Sequence, residues 1–127
     1  MGPIKSKKIL LVDDEPNILV PIEFLMQQQD FEVRKAFNGQ EALGILEEFE
    51  ADIVVLDVMM PGIDGFEVAR RIRKQPKLRN TRILFLTAKG TEVDRKKGYS
   101  TGGEVYMTKP FDNDELIQIV KDVLEFG

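Results

Sequence analysis

Four polar side chains at the ends of three short apolar runs, and one lysine beyond them, have types and an order that suit phosphoryl chemistry. Ile9-Leu10-Leu11-Val12 leads into Asp13-Asp14, Ile53-Val54-Val55-Leu56 into Asp57, and Ile83-Leu84-Phe85-Leu86 into Thr87; a Lys109-Pro110 pair follows. Carboxylates crowded together resist joint ionisation unless a cation lies among them. Mg²⁺ suits that set, because it prefers oxygen ligands, keeps several waters and commonly takes one or two carboxylates with phosphate oxygens. Mn²⁺ is an acceptable substitute. A cation there offsets the repulsion between an incoming phosphate and a carboxylate nucleophile, and Lys109 can hold a further phosphoryl oxygen. Asp57 stands alone at the end of its run and is the nucleophile candidate, while the Asp13-Asp14 pair looks like a metal cradle. Taken singly, each residue is accounted for by helix capping, a turn or a solvated charge. Their combined order is not.

The residue types that are missing prune the chemistry further. The chain has no His and no Cys. Disulfides, thiol nucleophiles, Ser-His-Asp catalysis and the usual zinc ligand sets are excluded, as is a phosphohistidine carried by this chain. The 18 basic and 22 acidic residues are interspersed and leave a net charge of −4, so direct nucleic-acid binding is not expected. No apolar stretch approaches the roughly 20 residues that span a bilayer, and Lys5-Ser6-Lys7-Lys8 is not followed by a signal-type apolar region. A cytoplasmic protein without membrane contact is expected. Met1-Gly2-Pro3-Ile4-Lys5-Ser6 satisfies the loose myristoylation pattern, but so short a pattern arises easily by chance, and residues 1–6 read as a polar lead-in.

These residues need a scaffold that brings distant run ends to one edge. A chain of 127 residues with 43% apolar content is expected to form one domain, residues 1–127. Apolar runs of four residues alternating with amphipathic segments read as buried parallel strands with covering helices. Pro16 opens a first helix through Gln28, with Pro21 inside it predicting a kink. Phe31–Ala36 reads as an outer strand and Asn38-Gly39 as a turn; Ala42, Ile45, Leu46 and Phe49 mark a second helix. Asp64 caps a third through Lys74, with Glu67 completing a capping-box pattern. Gln75–Thr81 reads as a polar connection. Thr91–Ser100 predicts a weak fourth helix whose candidate apolar positions are Val93 and Tyr99, and in which Gly98 costs about 1 kcal/mol relative to Ala. Thr101-Gly102-Gly103 breaks that helix before a strand at Glu104–Met107. A last helix runs from Asp112 or Asn113 to Phe126, with Leu116, Ile119, Val120 and Val123 on one face. Five strands alternating with five helices predict an α/β, doubly wound, five-stranded parallel sheet with helices on both faces. The leading order is the flavodoxin-like 2-1-3-4-5, which opens a crevice between the first and third strands where Asp13, Asp14 and Asp57 converge.

At this point the chain resembles the receiver domain of two-component response regulators, from about Lys7 to Phe126. The resemblance rests on Ile9-Leu10-Leu11-Val12-Asp13-Asp14-Glu15-Pro16, on Asp57-Val58-Met59-Met60-Pro61-Gly62-Ile63-Asp64-Gly65, on Leu86-Thr87-Ala88-Lys89 and on Tyr106-Met107-Thr108-Lys109-Pro110-Phe111. It implies that Asp57 is the phosphoacceptor, taking a phosphoryl group from the phosphohistidine of a sensor histidine kinase or a phosphotransfer protein. It implies Asp14, Asp57 and the backbone carbonyl of Met59 as direct Mg²⁺ ligands, with Asp13 acting through water. Thr87, the small Ala88 and Lys109 would flank the phosphoryl group, and Lys109-Pro110 would be a cis peptide. Thr87 and Tyr106 would form a switch that remodels the face of the fourth helix, fifth strand and fifth helix toward a downstream target or an output domain. A phosphorylation-dependent dimer is compatible with that scheme. The chain departs from the family where Gly102-Gly103-Glu104-Val105 replaces a Gly-Ala-Asp-type segment, and at Pro21. Met59 and Lys89 occupy variable positions flanking the site; apolar Met59 orients no attacking water, so a long-lived acyl phosphate is expected.

Two other functions share parts of this pattern. A Mg²⁺-dependent aspartyl-phosphate phosphohydrolase of the haloacid dehalogenase type usually places a second Asp two residues after the nucleophile, where this chain has Met59. A flavin or nucleotide domain of the same fold needs a Gly-rich phosphate loop after the first strand. Asp13-Asp14-Glu15 occupies that place.

Overall fold

The strands form where the chain is apolar on both sides. A computed structural model describes residues 7–126, so the lead-in and its myristoylation pattern lie outside the described residues. β1 (Lys8–Val12), β3 (Ile53–Leu56) and β4 (Arg82–Thr87) are buried along almost their whole length. β2 (Glu32–Ala36) alternates exposed and half-buried positions, as an edge strand does, and β5 (Val105–Thr108) closes the other edge. All four pairings are parallel, and the sheet order is β2-β1-β3-β4-β5. The α/β, flavodoxin-like order expected from the sequence is the one observed.

Parallel neighbours require crossovers, and the helices supply them on both faces. Successive strand residues point to opposite sides, so each strand feeds two cores. Leu10, Val12, Val54 and Leu56 pack with Ala42 and Leu46 of α2 (Gly39–Leu46) and with Phe66 and Ile72 of α3 (Gly65–Arg73). Ile9, Leu11, Ile53 and Val55 pack with Leu19, Ile22 and Met26 of α1 (Pro16–Gln28) and with Leu116 and Val120 of α5 (Asn113–Phe126). Each of these Leu, Ile, Val, Phe and Met side chains contributes roughly 1.5–3 kcal/mol on burial. α4 (Glu92–Ser100) is different: Val93 and Tyr99 are exposed, and Gly98 alone is buried.

Several local expectations change in the folded chain. Asn38-Gly39 is a helix start rather than a turn, because the Asn38 carboxamide oxygen accepts from the Glu41 N–H at 2.8 Å. Asp64 caps α3 by accepting from the Glu67 N–H at 2.9 Å, but the Glu67 carboxylate turns to Arg71 (2.9 Å) and Arg70 (3.3 Å) instead of completing a box. A reciprocal box forms at α4, between Thr91 and Asp94. α1 keeps Pro21 in its interior, as the sequence places it. The polar connection holds a short 3₁₀ turn, Pro76–Leu78, that buries Leu78. β5 lies one residue later than its sequence signal. Val93 stays exposed and Tyr99 only flanks the Tyr106 ring, at 6.5 Å between centroids, because α4 meets the sheet through Gly98, whose missing side chain lets the backbone approach Phe85 and Tyr106.

Candidate phosphoryl site

The ladder carries the polar residues to one edge. Val12 pairs with Leu56, Leu56 with Phe85, and Thr87 with Thr108, so the strands end level. The hydrogen bonding continues past those ends: the Asp57 N–H donates to the Val12 carbonyl at 2.9 Å and the Lys109 N–H to the Thr87 carbonyl at 2.9 Å. Asp13, Asp57 and Lys109 are therefore fixed by sheet geometry rather than by loops. The Lys109-Pro110 peptide is cis.

One carboxylate oxygen from each of Asp13, Asp14 and Asp57 lies within 4.8 Å of the others. Asp13 and Asp57 are buried, whereas Asp14 is exposed. Lys109 Nζ stands 2.7 Å from Asp13 Oδ2, 3.4 Å from Asp57 Oδ2 and 3.6 Å from Glu15 Oε1. The remaining oxygens are oriented by the backbone, since the Glu15 N–H donates to Asp13 Oδ1 at 2.9 Å and the Met59 N–H to Asp57 Oδ1 at 3.2 Å. Burial pushes the Asp13 carboxyl above its ordinary range, with the Asp57 charge adding to it against the pull of Lys109. Burial alone would lower the Lys109 ammonium; the Asp13 hydrogen bond and the charges of Asp57 and Asp13 reverse this and raise it. The pocket is thus an acid-rich site with one resident cation on its own side chain. A hard divalent cation fits the donor set, which is all oxygen, is short of positive charge and is open to solvent at Asp14.

Asp57 opens onto a cavity of about 350 Å³ lined by Asp14, Glu15, Asp57, Met59, Ala88 and Lys109. Gly65 bounds the site from behind, for a Cβ there would meet the Asp57 carbonyl oxygen. Thr87 is fully buried, and its hydroxyl oxygen accepts from the Lys89 N–H at 3.3 Å. Tyr106 is buried as well, and its hydroxyl donates to the Lys89 carbonyl at 2.6 Å. One residue, Lys89, thereby joins the two. Arg95 donates to the Tyr106 carbonyl at 3.3 Å and lies 5.4 Å from its ring centroid. Desolvation, aided by the Asp94 charge, pushes the phenol up to about 12.

All the sequence-derived carboxylates, Met59, Ala88 and Lys109 come together, with Thr87 at the end of β4 and Tyr106 in β5 each bonded to Lys89. Sequence reading missed Glu15, the Lys89 backbone, Arg95, and the roles of Gly65 and Gly98. Only the Asp64-Gly65 helix start offered a local signal; the others depend on register and on α4 packing.

Comparison with known proteins agrees with this architecture. A family model described as the response regulator receiver domain matches residues 9–121. A response regulator from Chloroflexus aurantiacus J-10-fl is 35% identical with a TM-score of 0.89, over 95% of this chain and 99% of that one. The BeF3-activated receiver domain of DrrB, a Thermotoga maritima OmpR/PhoB homolog, is 34% identical with a TM-score of 0.86, over 94% and 98% of the two chains. The chemotaxis protein CheY4 of Vibrio cholerae is 30% identical with a TM-score of 0.88, over 93% and 98%.

Proposed function

As the chain belongs to the response regulator receiver family, we propose that it is a phosphorylation-controlled signalling domain whose phosphoacceptor is Asp57. The observation that carries this is the buried Asp57 carboxylate held 3.4 Å from Lys109 Nζ beside two further aspartates. An Asp57 oxygen attacks the phosphorus of a phosphohistidine on a histidine kinase or phosphotransfer protein. A P–O bond forms, the P–N bond breaks, and the imidazole leaves with its electron pair. The Met59 N–H, bonded to Asp57 Oδ1, aims the attacking carboxylate. Lys109 and the Thr87 hydroxyl contact the transferred oxygens, and Ala88 leaves room for them. Asp13, Asp14, Asp57 and the Met59 carbonyl would hold Mg²⁺ or Mn²⁺, which supplies positive charge against the phosphoryl oxygens. Water attack at phosphorus later returns the carboxylate and inorganic phosphate, so the domain catalyses only its own modification and its reversal.

Readout passes through Lys89. A shift of the Thr87 hydroxyl toward the phosphoryl group releases the Lys89 N–H, and the same residue's carbonyl holds Tyr106. Tyr106 abuts Gly98 of α4, so the α4/β5/α5 face is remodelled toward a downstream protein, an output domain or a second copy. The chain works as one receiver unit over residues 1–127, residues 1–6 being a lead-in, in the cytoplasm and without nucleic-acid contact. Among the described residues no helix is long and apolar enough to cross a membrane.

Incubation with a small phosphoramidate, which shares the P–N bond of phosphohistidine, tests this by intact mass and peptide mapping with and without MgCl2. One Mg²⁺-dependent phosphoryl adduct on Asp57 is expected, absent from Asp57→Asn. Equal labelling of the variant, or an adduct mapped to another residue, would contradict the assignment.

A further inference from the structure

We propose that Met59 is an oxidant-responsive modification site that sets the lifetime of the phosphorylated state. Sulfur chemistry in this chain falls to methionine alone, because there is no cysteine. Among the described residues Met26 is 0% exposed and Met60 and Met107 are each 9% exposed, whereas Met59 is 53% exposed. Its thioether is open to a hydroperoxide and the other three are shielded. Position makes the modification consequential. Met59 lines the 350 Å³ cavity that holds Asp57 and Lys109, and also an adjoining cavity of about 480 Å³ with Asp14, Asp64 and Lys89. It is the apolar residue common to both linings.

The chemistry balances simply. The Met59 sulfur loses two electrons and gains the S–O bond; the hydroperoxide O–O bond breaks, and hydrogen peroxide leaves as water. A weakly accepting thioether becomes a strongly dipolar sulfoxide oxygen at the mouth of the site. That oxygen accepts a hydrogen bond from water or from the Lys89 ammonium, where the weakly accepting thioether held no water in place. The sulfoxide orders a water beside the acyl phosphate and shortens its life. One hydrogen bond of about 1 kcal/mol realised at the barrier corresponds to about fivefold faster decay. Reduction of the sulfoxide restores the slower rate.

The functional half of this inference rests on Asp57 being the phosphoacceptor, and the test separates the two. Limiting hydrogen peroxide followed by peptide mapping is expected to convert Met59 well ahead of Met26, Met60 and Met107. Oxidation of Met60 or Met107 at an equal rate overturns the site. The parent, labelled with phosphoramidate and MgCl2, is expected to lose its adduct about fivefold faster after oxidation and to recover with methionine sulfoxide reductase. Peroxide-treated Met59→Leu is expected to keep the decay rate it had before treatment. An unchanged rate in the oxidised parent, or equal acceleration in Met59→Leu, overturns the regulatory role. Absence of an Asp57 adduct in untreated protein would instead remove the phosphoacceptor reading, leaving the peptide map to decide the oxidation site.

Discussion

Replacing Lys109 with Met removes the ammonium while keeping an unbranched side chain of similar reach, and it should expose how the acid pocket is held together without a metal ion. At an effective dielectric constant of about 20, unit charges at 2.7 Å and 3.4 Å attract by about 6 and about 5 kcal/mol, the separations from Lys109 Nζ to Asp13 and Asp57. Desolvation of the three groups offsets most of that gross attraction. The change is destabilising because Asp13 and Asp57, 2% and 3% exposed, would keep their burial and lose their partner. Breaking a buried pair from one side costs about 3–5 kcal/mol. That is a large share of the roughly 5–15 kcal/mol available to a domain. Urea unfolding in EDTA should show this loss. Added MgCl2 should stabilise Lys109→Met more than the parent, because a cation entering the variant displaces no ammonium, and a ligand at about 100 times its Kd contributes about 2.7 kcal/mol. A second change, Asp57→Asn, should recover part of the loss by leaving one buried charge unpaired instead of two. A loss under about 1 kcal/mol in EDTA, or equal gains from MgCl2 in the two proteins, would refute the electrostatic account.

Two further outcomes follow from Tyr106 and its surroundings. Gly98→Ala places a Cβ 2.6 Å from Tyr106 Cδ2. Helix propensity alone favours the variant by about 1 kcal/mol, so a net loss of about 1–2 kcal/mol in urea unfolding isolates the clash; a stabilised variant would show that the ring yields freely. Tyr99→Phe leaves Tyr106 the single tyrosine of a chain with two. Its folded pKa of about 12 lies above the ordinary 10.0, so the native state holds the proton more tightly. The stability contributed is complete below pH 10 and is lost as pH rises toward about 12. Tyrosinate absorbance followed with far-UV circular dichroism should give a midpoint near 12; a midpoint near 10 in protein that keeps its native spectrum would contradict the burial argument.

Strand positions, sheet order and the acidic triplet were legible in the residues because they arise from short-range patterns. Four consecutive apolar residues can be buried on both faces only in a sheet covered on both sides. The parallel crossover rule then leaves few orders, and the polar residue after each run has one edge to occupy. The Asp64 cap was equally local, since an Asp followed three residues later by a backbone donor suffices. Tertiary structure decided what depends on partners far apart in the chain. Val93 and Tyr99 stayed exposed because α4 approaches the sheet through Gly98. Lys109 bonds an aspartate 96 residues earlier, and Lys89 joins Thr87 to Tyr106 through backbone atoms that carry no sequence signature. Residue type and spacing fixed which chemistry the site can perform; strand register and helix packing fixed which groups are within reach to perform and report it, since hydrogen bonds and ion pairs act over a few ångströms that only the folded chain determines.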